Sequence, residues 1–325
     1  MVAMSDTSLS RRPVLCIVGP TGSGKSELAQ VVACQHDGEI VSADSMQIYV
    51  GMDIGTGKVV PGERRVPHYG LDIVNPGEPY SASLFQTYAR TCLGDIASRG
   101  KLAILCGGTG FYVRAAIDDY QFPKGEQIEN PVRQRYLEMA EEEGSQAVWE
   151  ELDRIDHESA QVVHPNNVKR VIRALEMHFE GVSYADQVKN LKNLPQAIPA
   201  VMVGLKVERP VLYDRINTRV DKMVADGLVA EVSSLLNKGY YEGVTAQQAI
   251  GYKEIVLYLE GKSSLDEAIE SIKQSTRRYA KRQISWFNND PRVTWIDATF
   301  YEVDRLAQET WATWLADVAI ERERQ

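Results

Sequence analysis

The sequence predicts an α/β fold in which a parallel sheet is flanked by helices and a smaller helical subdomain is inserted into the chain. Three observations carry this prediction: a glycine-rich turn after an N-terminal apolar run, further apolar runs at helix-length intervals, and an acidic stretch that interrupts them. With 325 residues, 44 % of them hydrophobic, the chain can build a large core and one insertion. We expect a core made of 1–119 and 199–325, with the insertion at 120–198.

The first element is the apolar run at 13–18 and the turn that follows it. Residues 19–26 fit the pattern GxxxxGK[ST], in which successive backbone N–H groups point into one concavity. Lys25 adds a positive charge, and Ser26 adds a hydroxyl suited to Mg²⁺. The sequence therefore predicts a P-loop core that binds a di- or triphosphate; a glycine-rich turn that binds nothing is the alternative. The candidate diphosphate ligands here are Gly19, Pro20, Thr21, Gly22, Ser23, Gly24, Lys25 and Ser26.

Three later apolar runs have the composition of buried parallel strands. They lie at 39–42, 101–106 and 199–207. The interval at 120–198 is acidic and helical and contains several prolines, which is typical of an insertion between two strands. From 208 onward the pattern is mostly helical.

Two polar residues follow predicted strands at the edge where open α/β sheets bind ligands. Asp44 follows the apolar run at 39–42 and is our candidate general base, although an aspartate in this position can also cap a helix. Thr109 lies in a glycine-rich strand-to-helix turn, where its hydroxyl could face the same crevice or belong to an ordinary turn. The apolar run at 101–106 is followed by glycines and not by the acid that a nucleotide hydrolase would carry.

A long helix near the C-terminus shows the clearest surface pattern. Ser264 and Glu267 form a capping box, and the helix is expected to run to about Phe287, with uncharged residues from Leu265 to Trp286 on one side. Five basic residues lie on the other side with no acid between them, which favours contact with a phosphate backbone over a merely solvated face. They are Lys273, Arg277, Arg278, Lys281 and Arg282.

Two other helices carry smaller basic faces. A helix at 167–180 places Lys169, Arg170 and Arg173 opposite its apolar stripe. In a helix predicted at 213–232, Arg215, Arg219 and Lys222 lie on one side and could clamp a diphosphate. Solvent exposure of these charges is the alternative reading in both helices.

The composition limits the class of protein. The net charge is −9, but 126–160 alone contributes −8, so the rest of the chain is near neutral and can carry basic surfaces. The four cysteines form no CxxC pair and the five histidines no HxxxH pair, which argues against zinc. The stretch Met1–Arg12 lacks an apolar signal region, and no 18 apolar residues follow one another. We expect a cytoplasmic monomer.

Eight motifs, in order between positions 14 and 290, together resemble the bacterial tRNA dimethylallyltransferase (tRNA isopentenyltransferase) family. They are GPTGSGKS, DSMQIY, MDIGTGK, PHYGLD, CGGTGFY, HPNNVKRVIRALE, AIGYKE and RRYAKRQISWF. The resemblance implies transfer of a dimethylallyl group from dimethylallyl diphosphate to N6 of the adenosine 3′ to a tRNA anticodon, with Mg²⁺ as cofactor. In PHYGLD this chain has Tyr69-Gly70 where the family usually has His-Leu, and no C-terminal Cys/His finger follows the core.

The resemblance also implies roles for matching residues. Thr21 to Ser26 would cradle the diphosphate, Asp44 would take the N6 proton, Thr109 would bond near the reacting centre, and Arg219 with Arg215 would hold the leaving group. The insertion would embrace the anticodon stem-loop. Implied tRNA contacts, besides the basic helix and Thr109, are Asp44, Ser45, Met46, Gln47, Lys169, Arg170, Val171, Ile172, Arg173, Ala249, Ile250, Gly251, Tyr252, Lys253 and Glu254.

Three other functions remain open from the sequence. A small-molecule kinase also uses a phosphate loop and arginines, but it needs no long insertion. Transfer of the same group to free adenylate would need no RNA. An RNA-binding protein without chemistry would bind tRNA and release no diphosphate.

Overall fold

The computed structural model describes residues 12–122, 130–191, 194–237 and 245–323, without the side chains of 190, 191 and 321–323. The predicted polar N-terminal stretch therefore lies outside the described residues, except for Arg12. The chain divides into two compact units, Met1–Ile117 with Gln196–Gln325 and, separately, Asp118–Pro195.

Within the described ranges, the larger unit contains a six-stranded parallel sheet in the order β3-β2-β4-β1-β5-β6. The strands are β1 Val14–Val18, β2 Gly38–Ser42, β3 His68–Tyr69, β4 Leu102–Gly107, β5 Ala200–Lys206 and β6 Val293–Asp297. The four apolar runs in the sequence form β1, β2, β4 and β5, so the predicted fold class is confirmed.

Alternation along the strands explains why these runs are apolar throughout. Leu15 and Ile17 point into one core cluster, and Cys16 and Val18 point into the other, because successive side chains of a strand face opposite sides of the sheet. The helices on the N-terminal side of the chain that cover these faces are α1 Lys25–Gln35, α2 Ala82–Ser98 and α3 Gly110–Ile117. Both faces are buried, so no polar alternation survives in the central strands.

The smaller unit is helical around its own core. Its described helices are α4 Pro131–Glu142, α5 Ser145–Ile155, α6 His157–Gln161, α7 Val168–Phe179 and α8 Tyr184–Leu191. Tyr136, Leu152, Val171 and Leu175 are fully buried in that core. The predicted helix at 167–180 is therefore confirmed as α7, with Asn167 as its cap.

The C-terminal part of the larger unit contains five helices within the described ranges. They are α9 Arg209–Ala225, α10 Leu228–Leu236, α11 Tyr252–Leu259, α12 Leu265–Asn288 and α13 Val303–Glu323. The single helix predicted at 213–232 is wrong, because the chain turns at Gly227 with φ of +107° and forms α9 and α10 instead. Ser264 and Glu267 form the predicted capping box of α12.

Two strands of the sheet, β3 and β6, were not predicted from the sequence. Strand β3 has two residues, too few to leave a periodic signal. Strand β6 lies at the sheet edge, where only Val293 and Ile296 are buried, so it lacks a continuous apolar run. Among the described helices, none is both long enough and apolar enough to cross a membrane.

Candidate active site

The glycine-rich turn joins β1 to the first turn of α1. Gly24 has φ of +90°, a conformation that residues with a Cβ rarely adopt, and α1 begins at the next residue. The Lys25 ammonium donates to the carbonyl of Pro20 at 3.0 Å, which holds it across the turn. Burial lowers the pKa of Lys25 from its usual 10.5, and the nearby Asp44 carboxylate opposes that change. A positive charge is thus held in a poorly hydrated concavity at a helix N-terminus, which suits an anion.

Asp44 follows β2 at the carboxyl edge of the sheet and lines the crevice beside this turn. Its Oδ1 accepts the Met46 N–H at 2.9 Å, and the residues that follow form turns and not a helix. The alternative in which Asp44 caps a helix is therefore wrong. The carboxylate stabilises a turn while it faces the crevice.

Arg219, on α9, faces Asp44 and Lys25 across the crevice. Its Nη2 donates to the Thr56 carbonyl at 3.3 Å. Burial lowers the pKa of Arg219, and the Asp44 charge counteracts this, so the two groups lie within electrostatic reach. Arg219 thus lines the crevice as predicted, and its role in holding a diphosphate stays a prediction.

Two other predicted members of the α9 clamp lie elsewhere. Arg215 donates to the carbonyls of Ala298 and Thr299 at 3.1 and 2.8 Å and is not among the described residues that line the crevice. Lys222 is exposed and pairs with Asp226 at 3.0 Å. The helical spacing predicted that Arg215, Arg219 and Lys222 share one face of the helix, but of these three only Arg219 lines the crevice.

The crevice consists of two compartments that meet at shared residues. The small compartment, about 60 Å³, extends towards Ala29, Ile40, Val59, His68 and Leu71. The large compartment, about 490 Å³, extends towards Ala249–Gly251 and the α12 residues Arg278, Tyr279 and Arg282. The residues that line both are Thr21, Lys25, Asp44, Thr56 and Arg219. The predicted base and the cationic side chains therefore lie where two molecules could meet.

Thr109 is half-buried in the turn between β4 and α3. Its Oγ1 accepts the Ser45 N–H at 3.0 Å and lies 3.3 Å from the Ser45 hydroxyl, and Thr109 itself is not a lining residue. Burial raises the pKa of the neighbouring Tyr279 hydroxyl to about 12, with hydrogen bonds to Thr109 and Gln283 acting against this rise. The structure thus bonds Thr109 to Ser45 beside the crevice, and its hydrogen bond near the reacting centre stays a prediction.

The predicted basic face of α12 divides into parts with different partners. Lys273 pairs with Asp221 at 2.8 Å and Glu270 at 3.3 Å, and Arg277 donates to Asn217 at 2.6 Å. The expectation of five unpaired charges on this face is therefore wrong, because α9 and α12 pack together there.

The remaining basic residues of α12 are exposed. Arg278 and Arg282 line the large compartment, and Lys281 lies on the surface nearby. On the uncharged side, Trp286 is 41 % exposed, whereas the next residue, Phe287, is buried. The guanidiniums available to a ligand are thus those at the mouth of the large compartment.

The segment Ala249–Glu254 also divides. Ala249, Ile250, Gly251 and Lys253 line the large compartment. Tyr252 is fully buried, and Glu254 caps α11 by accepting the Gly251 N–H at 2.8 Å. Direct RNA contact by Tyr252 or Glu254 side chains does not fit this burial.

The same distinction applies in the smaller unit. Lys169 and Arg170 are exposed on α7, but Val171 and Ile172 are at most 2 % exposed within its core. Arg173 pairs with the buried Glu176 at 3.0 Å. The direct tRNA contacts expected of Val171 and Ile172 are wrong, because apolar side chains in a packed core cannot reach a ligand. The role of the smaller unit in holding a stem-loop stays a prediction.

Thr56 and Gln283 are among the crevice residues that the sequence did not identify as functional. Thr56 lines both compartments and belongs to the motif MDIGTGK, to which the sequence assigned no residue role. Gln283 was assigned to the uncharged side of α12, yet it is 5 % exposed and bonded to Thr21 and Gly108. A polar amide on a buried helix face was the available signal, since such groups need hydrogen-bond partners.

The crevice offers few protein ligands for a magnesium ion, so a bound ion would depend on phosphate oxygens and water for its other ligands. Ser26 lines the small compartment at the start of α1, beside the lysine that would meet the phosphates. Among the described residues there is no group of three or more His, Cys, Asp or Glu side chains able to hold a metal. This donor set suits Mg²⁺, which often takes most of its ligands from phosphate oxygens and water.

Several known proteins are similar to this chain over most of its length. The model of the IPP transferase family matches residues 47–290, and that of the isopentenyl transferase family matches 12–66. A tRNA dimethylallyltransferase of Geobacillus thermodenitrificans is 49 % identical over 291 residues, 88 % of this chain and 90 % of that protein. One from Carboxydothermus hydrogenoformans is 47 % identical over 301 residues, 91 % of this chain and 95 % of the other.

Solved structures give the same result. The full-length tRNA isopentenylpyrophosphate transferase of Bacillus halodurans has a TM-score of 0.69 and 38 % identity, covering 96 % of this chain and 100 % of that one. A eukaryotic dimethylallyltransferase acting on tRNA has a TM-score of 0.75 and 29 % identity, covering 94 % of this chain and 77 % of the other. The similarity therefore extends over both units of the chain.

Proposed function

The chain belongs to the IPP transferase family, and from this premise we propose that it transfers a dimethylallyl group to tRNA at the junction of its two compartments, with Asp44 as the base. It is a tRNA dimethylallyltransferase-type enzyme that transfers a dimethylallyl group to tRNA. The proposed donor is dimethylallyl diphosphate, and the proposed acceptor is N6 of the adenosine on the 3′ side of the anticodon. Since tRNA is the substrate, we place the reaction in the cytoplasm.

One observation carries the proposal: Asp44 lines both compartments, together with Lys25 and Arg219. A transfer enzyme needs its donor and acceptor side by side, with a base at the attacking atom and cations at the leaving group. The carboxylate and the two cations meet that requirement in one place. A phosphate site that only hydrolysed a nucleotide would not need the second compartment.

The donor side is built around the glycine-rich turn. Lys25 and Arg219 are the cations that would face the two phosphates and stabilise charge on the oxygen as the carbon–oxygen bond breaks. Because burial removes water from both side chains, their electrostatic effect on a bound diphosphate is stronger than it would be in water. A Mg²⁺ ion held with the help of Ser26 would add further charge stabilisation on the diphosphate.

The acceptor side is the large compartment. Its volume of about 490 Å³ is within the range of small-molecule pockets, so a single extruded base can enter it. As N6 attacks the allylic carbon, diphosphate departs with the bonding electrons and the N6 proton passes to the Asp44 carboxylate. Arg278 and Arg282 at the mouth are placed to meet the RNA backbone.

The test is transfer of label from radiolabelled dimethylallyl diphosphate to a synthetic anticodon stem-loop. We expect label in the RNA that carries adenosine next to the anticodon, and none when inosine replaces it, because inosine lacks the exocyclic amine. One diphosphate should be released for each label incorporated. Label in free AMP but not in RNA, or cleavage of ATP with no transfer, would contradict the proposal.

A further inference from the structure

Glu231, on α10, commits both carboxylate oxygens to a loop on the far side of the crevice. Oε2 accepts the N–H groups of Asp53 and Ile54 at 3.1 and 2.7 Å. Oε1 accepts the N–H of Gly55 at 3.2 Å and the hydroxyl of Tyr252 at 2.6 Å. Three consecutive backbone donors on one anionic side chain fix the main chain of this loop.

The fixed loop supports the crevice arginine. Immediately after the three pinned residues, the Thr56 carbonyl accepts hydrogen bonds from Arg219 and from Gln47, each at 3.3 Å. Gly57 has φ of +63°, and a Cβ there would overlap the Arg219 guanidinium. The position of Arg219 therefore depends on the backbone path of this loop.

The same carboxylate is also linked, through Tyr252, to the segment that lines the large compartment. Tyr252 belongs to the segment whose Ala249 and Gly251 line the large compartment. A Cβ at Gly55 would overlap the Tyr252 ring, so the loop and this segment are in close contact. Glu231 thus bonds both to the loop that contacts Arg219 and to Tyr252, whose neighbours in the chain line the acceptor compartment.

We propose that Glu231 is a positioning residue for the transfer reaction, holding the loop at 53–57 so that Arg219 faces the departing diphosphate. The inference rests on the proposed function. Preorganised charge at a leaving group accelerates the reaction only while its placement is maintained, and small displacements are costly. The carboxylate touches no reactant and acts through the Thr56 carbonyl.

The first experiment compares variants in the transfer assay with labelled donor and stem-loop RNA. Glu231→Ala is expected to lower kcat about 10-fold or more, with KM for the RNA changed only a few-fold. Glu231→Gln keeps one oxygen acceptor and should fall between Glu231→Ala and the unsubstituted protein. Ser234→Ala, on the exposed side of the same helix, is the matched control and should leave kcat unchanged.

A double-mutant cycle separates positioning from a loss of stability. If Glu231 acts through Arg219, then Glu231→Ala should have little further effect on kcat in an Arg219→Ala background. Independent structural damage would instead multiply the two losses. All variants are assayed well below the thermal midpoint measured for each, so that unfolded protein does not enter kcat.

The outcomes are distinct. A Glu231→Ala enzyme with normal kcat, or multiplying losses in the cycle, overturns the inference while the proposed function stands. An unsubstituted protein that transfers no label to RNA overturns both.

Discussion

The side-chain amide of Gln283 joins α12 to the phosphate-binding turn: its Oε1 accepts the N–H of Thr21 at 2.8 Å. Its Nε2 donates to the Gly108 carbonyl at 2.9 Å, so one buried side chain ties together two loops at the carboxyl edge of the sheet. The helix that carries Arg278 and Arg282 is therefore bonded directly to the proposed donor site.

Gln283→Ala should weaken binding of inorganic diphosphate about 10-fold and lower the thermal midpoint. The substitution leaves the buried Gly108 carbonyl without this bond, a cost of about 1 to 3 kcal/mol, and also removes the acceptor of the partly buried Thr21 N–H. Calorimetric titration and thermal unfolding measure the two effects. Gln274→Ala, at an exposed position of the same helix, is the control. Unchanged diphosphate affinity in Gln283→Ala would show that the bond does not shape the turn.

Asp44→Asn should lower kcat about 100-fold or more while RNA affinity changes only a few-fold, as expected for loss of a proton acceptor. Asparagine retains an oxygen that can accept the Met46 N–H, so the turn after β2 should persist. Asp44→Ala removes that bond as well and reports the cost of the turn. Near-normal turnover of Asp44→Asn would exclude Asp44 as the base.

Arg278→Ala with Arg282→Ala should weaken tRNA binding and reduce the slope of log K against log salt by about 1 to 2. Both side chains lie at the mouth of the large compartment. Lys273→Ala removes a charge from the same helix, but one already paired with Asp221, and should leave the slope nearly unchanged. Fluorescence titration of labelled stem-loop across a salt series measures these slopes; equal slopes for all variants would contradict the assignment.

Diphosphate binding should take up protons at alkaline pH below 10.5. Burial lowers the pKa of Lys25 in the folded, free protein below its usual 10.5. Between the lowered pKa and 10.5 the unfolded chain holds the lysine proton more fully than the folded protein does, so the free energy of unfolding rises with pH over that range. A bound diphosphate favours the charged lysine and draws a proton onto it.

Calorimetric titration in buffers of different ionisation enthalpy measures this uptake. Lys25→Arg keeps the charge without titrating, so its uptake should be lower by up to about one proton. Lys206→Arg, at an exposed residue, is the control. Equal uptake by Lys25→Arg would exclude this lysine as the titrating group.

Patterns that are local in the chain were sufficient for much of the architecture. Continuous apolar runs gave four parallel strands because both faces of the sheet are covered, and the GxxxxGK[ST] spacing placed Lys25 at the start of α1. Position after a strand brought Asp44 to the ligand-binding edge. Strand β6 was not predicted, because an edge strand has exposed positions and therefore lacks a continuous apolar run.

By itself, the sequence determined the fold class, the phosphate-binding turn, the residue at the end of β2 and the family to which the chain belongs. The tertiary structure alone decided which members of each helical face reach the crevice: Arg219 enters it, whereas Arg215 bonds to carbonyls beyond β6. It also decided that Gln283 and Glu231 brace loops distant in sequence. Strand and turn formation depends on neighbouring residues and leaves a periodic signal. Side-chain pairing across the fold depends on how helices pack, and that packing leaves no period in the chain.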